Sequence, residues 1–152
     1  MKLLIIDDDN ICTIITTRVA QTSGIFQDID SVSNGKDALD FFDHVRKGNA
    51  TAPDVILLDP NLPIINGFDV ITALQQFSFP DKEKIAIIIL THSNDSDDVQ
   101  RARALGVNDY LLKPLTVNKL RTTIYSTICS TNIRRHSLMA GLTRGARMTP
   151  CR

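Results

Sequence analysis

The sequence predicts an α/β fold: a doubly wound, five-stranded parallel sheet with helices on both faces. Three observations support this class. Short apolar runs recur without polar alternation, as expected of strands that are covered on both faces. Segments with apolar residues at helical spacing lie between these runs. The alternation of the two patterns, with short connections, favours parallel strands joined by right-handed crossovers.

Four of the five candidate strands are short apolar runs, and the second strand is a weaker candidate. No run approaches the roughly 20 apolar residues that a helix needs to span a bilayer. We therefore expect no membrane segment and a protein located in the cytoplasm. The candidate strands, in chain order, are Leu3–Ile6, Ile29–Val32, Val55–Leu58, Ile85–Leu90 and Tyr110–Leu112.

Five further segments carry apolar residues at the spacing of one helix face. Asp9 or Asn10 can cap the first helix, and Gly24 follows its last turn. Gly106 closes the fourth helix, which has the weakest pattern. The apolar positions that mark the five helices, in chain order, are Ile11, Ile14, Ile15 and Val19; Ala38, Leu39, Phe42 and Val45; Phe68, Ile71, Leu74 and Phe77; Val99, Ala102 and Leu105; and Val117, Leu120, Ile124 and Ile128.

The charges divide the chain of 152 residues into two regions. Residues 1–129 are expected to form one packed domain, with 12 basic and 17 acidic groups. Residues 130–152 contain five arginines, no acid and no sustained apolar period, so we expect a basic C-terminal tail that is frayed or disordered. An acidic domain disfavours binding to nucleic acid, and no nucleic-acid partner is expected.

Polar side chains follow the strands at their carboxyl ends, where ligands bind in a doubly wound sheet. An aspartate triplet at 7–9 follows the first strand, Asp59 the third, Thr91 the fourth and Lys113 the fifth. Clustered carboxylates need a compensating cation, and oxygen ligands with open water positions suit Mg²⁺. A lysine and a hydroxyl beside that ion would complete a cradle for a phosphoryl group on Asp59.

Four motifs in this chain resemble those of the receiver domain of bacterial two-component response regulators, the CheY-like family. They are LLIIDDDN, PDVILLDPNLPIING, IIILTHSN and DYLLKP, and the resemblance covers about residues 2–129. Each motif is weak alone, but four in the family's order and spacing are highly specific. The resemblance implies a (βα)5 flavodoxin-like fold and a phosphoprotein that acts in phosphorelay signal transduction.

The resemblance also implies which residues carry the chemistry. Asp59 is the expected phosphoacceptor. Asp7 and Asp8 are the expected acidic pair that holds Mg²⁺ together with Asp59, and Asn61 is expected to offer its backbone carbonyl to the ion. Since the acidic run is a triplet, a pair formed by Asp8 and Asp9 is the alternative.

Other positions are expected to sense or support the phosphoryl group. Thr91 is expected to hydrogen-bond a phosphoryl oxygen, and Lys113 to pair with the group. The bond between Lys113 and Pro114 is cis in the family. Tyr110 occupies the aromatic switch position, and Gly67 matches the glycine that lets the loop turn into the third helix.

Two features depart from the family pattern. His92 follows Thr91 at a position where the family usually has a small residue. A bulkier ring there is expected to narrow access for the phosphodonor or to alter the lifetime of the phosphoryl group. The tail after residue 130 matches no known output domain, which leaves the route of the outgoing signal open.

The leading hypothesis is a single-domain phosphoacceptor that relays a signal and is not a turnover enzyme, although it promotes its own phosphorylation and dephosphorylation. Its expected partners are a histidine kinase or histidine phosphotransfer protein, and a downstream protein at the face formed by helix four, strand five and helix five. One alternative is a constitutive interaction module that is not phosphorylated. The other is a haloacid-dehalogenase-type phosphatase that uses an Asp-x-Asp pair at Asp7 and Asp9.

Overall fold

The computed structural model describes residues 1–131, and the predicted tail beyond them lies outside the described part of the chain. Five parallel strands form one sheet in the order β2-β1-β3-β4-β5. This arrangement confirms the predicted fold class. The strands are β1 Lys2–Ile6, β2 Asp28–Val32, β3 Val55–Leu58, β4 Ala86–Thr91 and β5 Asp109–Leu112.

A helix follows each strand, as the alternating sequence pattern predicts. Asp9 caps the first helix, and Gly24 ends it in the left-handed region at φ 69°, where a residue without Cβ is favoured. A short 3-10 helix, Lys82–Lys84, precedes β4. The α-helices are α1 Asn10–Ser23, α2 Gly35–Arg46, α3 Gly67–Gln76, α4 Ser96–Ala104 and α5 Val117–Thr131.

The strand side chains alternate between two apolar cores, one on each face of the sheet. On one face Leu3 and Ile5 of β1 pack with residues of α1 and α5, including Leu120. On the other face Leu4 and Ile6 pack with residues of α2, α3 and α4. Burial on both faces explains why the three inner strands, β1, β3 and β4, are largely apolar runs, whereas the edge strand β2, with the sequence DIDSV, is partly exposed. Within residues 1–131, no helix is long and apolar enough to cross a membrane.

Three of the four apolar residues that mark α1 in the sequence are exposed, and only the fourth, Val19, packs against the core. Ile11, Ile14 and Ile15 are 70%, 68% and 45% exposed, whereas the buried positions of the helix are Thr16, Ala20 and Ser23. Small side chains on the inner side let α1 lie close to the sheet and to α5. Arg121 of α5 donates to the carbonyl of Ser23 over 2.9 Å, which fixes the end of α1.

Several predicted element ends differ by one residue from the structure, and two of them have a clear physical reason. β4 runs from Ala86 to Thr91, so Thr91 is the last residue of the strand rather than the first residue after it. Its pairing with Leu112 of β5 extends the strand by that residue. Phe77 was expected in the third helix, but it follows the last helical residue and adopts an extended conformation, with its N–H donating to the carbonyl of Leu74.

Candidate functional site

The sheet brings two carboxylates together at the carboxyl ends of β1 and β3. These strands are neighbours, and Ile6 pairs with Leu58, so the residues that follow them, Asp7 and Asp59, emerge side by side. The N–H of Asp59 donates to the carbonyl of Ile6 over 2.8 Å. This hydrogen bond extends the pairing of β1 with β3 by one residue. Asp7 is 4% exposed and Asp59 is 8% exposed. Two anions are therefore held close together with little access to water.

Lys113 lies between these two carboxylates. Its Nζ is 2.6 Å from an oxygen of Asp7 and 2.6 Å from an oxygen of Asp59, and its side chain is 4% exposed. Burial lowers the pKa of the Lys113 ammonium, but the hydrogen bonds to Asp59 and Asp7 outweigh burial, so the pKa lies above its usual value of 10.5. The peptide bond between Lys113 and Pro114 is cis, as the resemblance implies.

Asp8 completes a group of three acids that could hold a metal ion. One oxygen from each of Asp7, Asp8 and Asp59 lies within 4.8 Å of the others, and Asp8 is exposed. Such a set of hard oxygen donors, open to water on one side, suits a Mg²⁺-like ion. Asp9 has a different position: its carboxylate accepts from the N–H groups of Ile11 and Cys12 and caps α1. The geometry thus favours Asp7 and Asp8 over the alternative pair.

Thr91 and Tyr110 lie next to this cluster, on β4 and β5. Thr91 is completely buried, and its hydroxyl accepts a hydrogen bond from the N–H of Ser93 over 3.2 Å. The Tyr110 hydroxyl donates to the carbonyl of Ser93 over 3.0 Å. Burial raises the pKa of Tyr110, which keeps this donor protonated. The loop after β4 is therefore bonded to both residues that the resemblance implies as the switch.

The loop after β3 packs closely against the start of α3. The N–H of Asn61 donates to the carboxylate of Asp59 over 2.8 Å, and the N–H of Gly67 donates to the carbonyl of Pro60. A Cβ at Gly67 would lie 2.6 Å from the carbonyl oxygen of Asp59 and 2.7 Å from Cα of Pro60. Gly67 is not among the positive-φ residues. The position thus requires glycine because the two backbones approach each other, not because of a left-handed turn.

Two residues that no sequence motif connects, Cys12 and His92, are in contact in the structure. Sγ of Cys12, in the first turns of α1, lies 3.8 Å from Nε2 of His92, in the loop after β4. Cys12 is half-buried and His92 is exposed. Burial raises the pKa of the Cys12 thiol. A separation of 80 positions in the chain gives no sequence signal for this contact.

Comparisons with known proteins agree on one family. The family model described as response regulator receiver domain matches residues 3–125. The probable methanogenesis regulatory protein FilR2 of Methanothrix harundinacea is 30% identical over 122 residues, which are 80% of this chain and 77% of FilR2. Response regulator Rcp1 of Synechocystis is 31% identical over 119 residues, 78% of this chain and 80% of Rcp1.

Solved structures give the same result. A two-component response regulator from Cytophaga hutchinsonii matches with a TM-score of 0.75 and 30% identity, over 84% of this chain and 96% of that one. The Mn(2+)-bound form of Rcp1 matches with a TM-score of 0.67 and 29% identity, over 90% and 97%. Some relatives are much longer, and the chain spans 20% of their length.

Proposed function

The chain belongs to the response regulator receiver domain family of two-component systems, and we propose that it takes a phosphoryl group onto Asp59 and passes the signal on through a conformational switch. The observation that carries this proposal is the position of Lys113. Its ammonium contacts Asp59 and Asp7 at 2.6 Å each, with Asp8 beside them. This arrangement holds one nucleophilic carboxylate beside an ammonium, which can neutralise charge on an arriving phosphoryl group, and beside two acids that could bind a divalent ion.

The transfer needs little from the protein beyond positioning and charge. A carboxylate oxygen of Asp59 attacks the phosphorus of a phosphohistidine, the P–N bond breaks, and the imidazole leaves with a proton from solvent. Lys113 then pairs with the new phosphoryl oxygens. Water later attacks the acyl phosphate, which releases inorganic phosphate and restores the Asp59 carboxylate. Such a domain promotes its own phosphorylation and dephosphorylation and is not a turnover enzyme.

We assign the acidic group to Mg²⁺. Asp7, Asp8 and Asp59 would hold the ion, together with the backbone carbonyl of Asn61, and the ion would supply positive charge against the phosphoryl oxygens. The carboxylate geometry supports this assignment, since three donors lie within 4.8 Å of one another. The Mn(2+)-bound form of the similar protein Rcp1 supports a divalent ion.

The switch would run through Thr91 and Tyr110. In the structure the Thr91 hydroxyl oxygen accepts a hydrogen bond from the N–H of Ser93. A charged phosphoryl oxygen on Asp59 would be a strong acceptor for the O–H of Thr91 and would draw the side chain toward it. Movement of Thr91 would disturb the loop whose Ser93 carbonyl holds the Tyr110 hydroxyl. The phosphoryl group would thus shift a population toward a state with an altered α4-β5-α5 face, where a downstream protein would bind.

The phosphodonor would be a histidine kinase or a histidine phosphotransfer protein. The first exposed isoleucine of α1, Ile11, lies two residues after the aspartate triplet, and Ile64 in the loop after β3 is fully exposed. These side chains would give a partner apolar contacts at the end of the sheet that carries Asp59. Action as a single-domain protein, and its location in the cytoplasm, are further parts of this proposal.

The phosphatase hypothesis lacks structural support. It requires Asp9 as a catalytic acid, but the Asp9 carboxylate caps α1.

The test of the proposed function is phosphorylation by acetyl phosphate, followed by intact-mass spectrometry. We expect one phosphoryl adduct when Mg²⁺ is present and none when EDTA replaces it, because the carboxylates would then repel the donor. An adduct that forms equally well in EDTA would contradict the metal assignment. A folded protein that binds Mg²⁺ but forms no adduct would instead favour the constitutive interaction module.

Gly67→Ala is expected to slow phosphorylation. The new Cβ would push the backbone at Asp59, and a displacement of the reacting group can reduce the rate by about tenfold or more. The same overpacking should cost about 1–3 kcal/mol of stability. Initial rates of adduct formation and urea unfolding would measure both effects. Gly24→Ala is the matched control, since a Cβ there meets no atom within 4 Å and only the positive φ is strained. If both variants phosphorylate alike, the close approach at Gly67 does not position Asp59.

A further inference from the structure

Helix α4 is attached to the domain by little apolar burial. All of its residues are described by the structure, and Ala102 is the one that is buried, whereas five residues of the neighbouring helix α3 are buried. A cavity of about 370 Å³ lies between α4 and β5, lined by residues that include Val99 and Tyr110. An element with so few buried contacts can move or open at a small cost in free energy.

Arg101 of α4 joins this helix to α3. Its guanidinium carbon lies 4.7 Å from the centre of the Phe68 ring, within the range in which a cation is attracted to an aromatic face. The Phe68 side chain is buried in the core, so the ring is held in place. Near the end of α4, Nε2 of Gln75 in α3 donates to the carbonyl of Leu105 over 3.0 Å. Contacts with α3 therefore fix the position of α4.

The ion pair beside the Phe68 ring contributes little to this attachment. Nη2 of Arg101 is 3.6 Å from a carboxylate oxygen of Asp69, and the two side chains are 52% and 55% exposed. Exposed pairs of this kind are screened by water and salt and add little to stability. The stacking of the guanidinium on Phe68 is therefore the main contact that Arg101 makes with α3.

Phe68 directly follows the residue that touches the backbone of the phosphorylation site. The N–H of Gly67 donates to the carbonyl of Pro60, and a Cβ at Gly67 would lie 2.6 Å from the carbonyl oxygen of Asp59. The N–H of Asn61 donates to the Asp59 carboxylate itself. Because these groups are closely packed, a displacement of the loop after β3 is passed on to Gly67 and Phe68.

We propose that Arg101 clamps α4 against Phe68, and that this clamp carries the state of Asp59 to α4 by a route separate from Thr91 and Tyr110. The second part rests on the proposed function. A phosphoryl group on Asp59 would crowd the loop after β3 and shift the start of α3. The Phe68 ring would then move away from the guanidinium and release α4. Arg101 is thus a positioning residue for α4 and takes no part in phosphoryl transfer.

Amide hydrogen exchange of the full chain, read by mass spectrometry of peptides from α4, tests the clamp without any phosphoryl group. We expect Arg101→Ala to accelerate exchange in α4 about threefold or more. Arg101→Lys keeps a positive charge near Asp69 but lacks the planar group that stacks on the ring, so it should behave like Arg101→Ala. Exchange in Arg101→Lys as slow as in the wild type would overturn the contact with Phe68.

Arg103→Ala is the matched control. Arg103 is an exposed arginine of the same helix, and residues two positions apart on a helix do not face the same neighbour. This variant changes the charge and the helix propensity of α4 as Arg101→Ala does, but it should leave exchange in α4 close to that of the wild type. An equal acceleration in both variants would overturn the proposal, because charge or helix propensity would then explain it.

A double variant tests whether Arg101 acts through the ring. Phe68→Leu keeps an apolar side chain in the core but removes the aromatic face, so it should also accelerate exchange in α4. Arg101→Ala added to Phe68→Leu should then have little further effect. Fully additive effects on the free energy of opening would show that the two residues act independently and would overturn the clamp.

The transmission of the signal is tested by the same exchange measurement in Mg²⁺ and excess acetyl phosphate, with intact masses recorded to give the phosphorylated fraction. We expect phosphorylation to accelerate exchange in wild-type α4, and to do so by a clearly smaller factor in Arg101→Ala, whose clamp is already open. An equal factor in both proteins would overturn the transmission and leave a clamp that only supports the structure. If no protein forms an adduct, the proposed function fails and the transmission with it, whereas exchange without the phosphoryl group still decides whether the clamp exists.

Discussion

Asp59→Asn is expected to form no phosphoryl adduct under conditions that phosphorylate the wild type completely. The amide oxygen and nitrogen of asparagine are too weakly nucleophilic to replace the carboxylate, and the substitution scarcely changes the volume of the side chain. The Lys113 ammonium keeps its contact with Asp7 at 2.6 Å, so the variant should stay folded. Intact-mass spectrometry after incubation with Mg²⁺ and acetyl phosphate measures the result directly.

The matched control is Asp69→Asn. Asp69 is an exposed residue of α3 that bonds the cap residue Asn66, and it lies outside the acidic group. Its variant should phosphorylate as the wild type does. An adduct on Asp59→Asn would move the acceptor to another residue, and peptide mapping after borohydride reduction of the acyl phosphate would identify that residue.

Lys113→Met is expected to have the largest effect on stability. The substitution leaves Asp7 and Asp59 buried side by side without their cation, and removal of one member of a buried charge group costs about 3 kcal/mol or more. We expect that loss in urea unfolding at neutral pH in EDTA. Mg²⁺ should restore much of the stability, because an ion among the three carboxylates replaces the missing charge.

The same variant should phosphorylate roughly a hundredfold more slowly even with saturating Mg²⁺, since it lacks the group that pairs with the developing phosphoryl charge. The double variant Asp59→Asn with Lys113→Met is the test of mechanism. It should be more stable in EDTA than Lys113→Met alone, because it contains one buried anion fewer. Additive free energies of unfolding would show that Lys113 and Asp59 are not coupled.

The pKa of Lys113 sets the pH range of these measurements. Because the folded pKa is raised above 10.5, the ammonium contributes its full stabilisation below that pH. The contribution is lost only as the pH rises through the higher pKa of the folded state. Unfolding at neutral pH therefore measures the whole effect, and the difference between the wild type and Lys113→Met should shrink only in strongly alkaline buffer.

Much of the architecture could be read from local pattern. Inner strands that are buried on both faces leave apolar runs, and helices leave a three- and four-residue spacing, so most elements were predictable. The edge strand β2 left only a weak pattern, because its residues are exposed or half-buried. Some helix boundaries followed from capping residues such as Gly24, whereas the third and fourth helices end one residue before the predicted Phe77 and Leu105. The ends of strands were harder to predict. Thr91 belongs to β4 because it pairs with Leu112 of β5, and a short stretch of sequence does not show which strand will pair with it.

The residues of the candidate site could be predicted from the sequence, but the role of each could be predicted only in part. Four short motifs in register indicated the family and therefore Asp59 and Lys113, but three consecutive aspartates look alike in sequence. Asp7 pairs with Lys113 because it directly follows the last residue of a buried strand, and Asp9 caps α1 because it precedes the first residue of a helix. Gly67 is needed for a backbone contact with Asp59 that only the packed loop creates.

Helical spacing in α1 identified a helix but not the side that is buried. Ile11 and Ile14 remain exposed because the packing of α1 against α5 and the sheet uses smaller residues. The contact between Cys12 and His92 could not be predicted either, because the two residues are 80 positions apart in the chain. Sequence periodicity reports interactions within one turn or one strand, whereas the orientation of a helix and contacts between distant residues depend on how whole elements pack. Local chemistry therefore specified which elements form and which residues can react, and three-dimensional packing determined which of those residues meet.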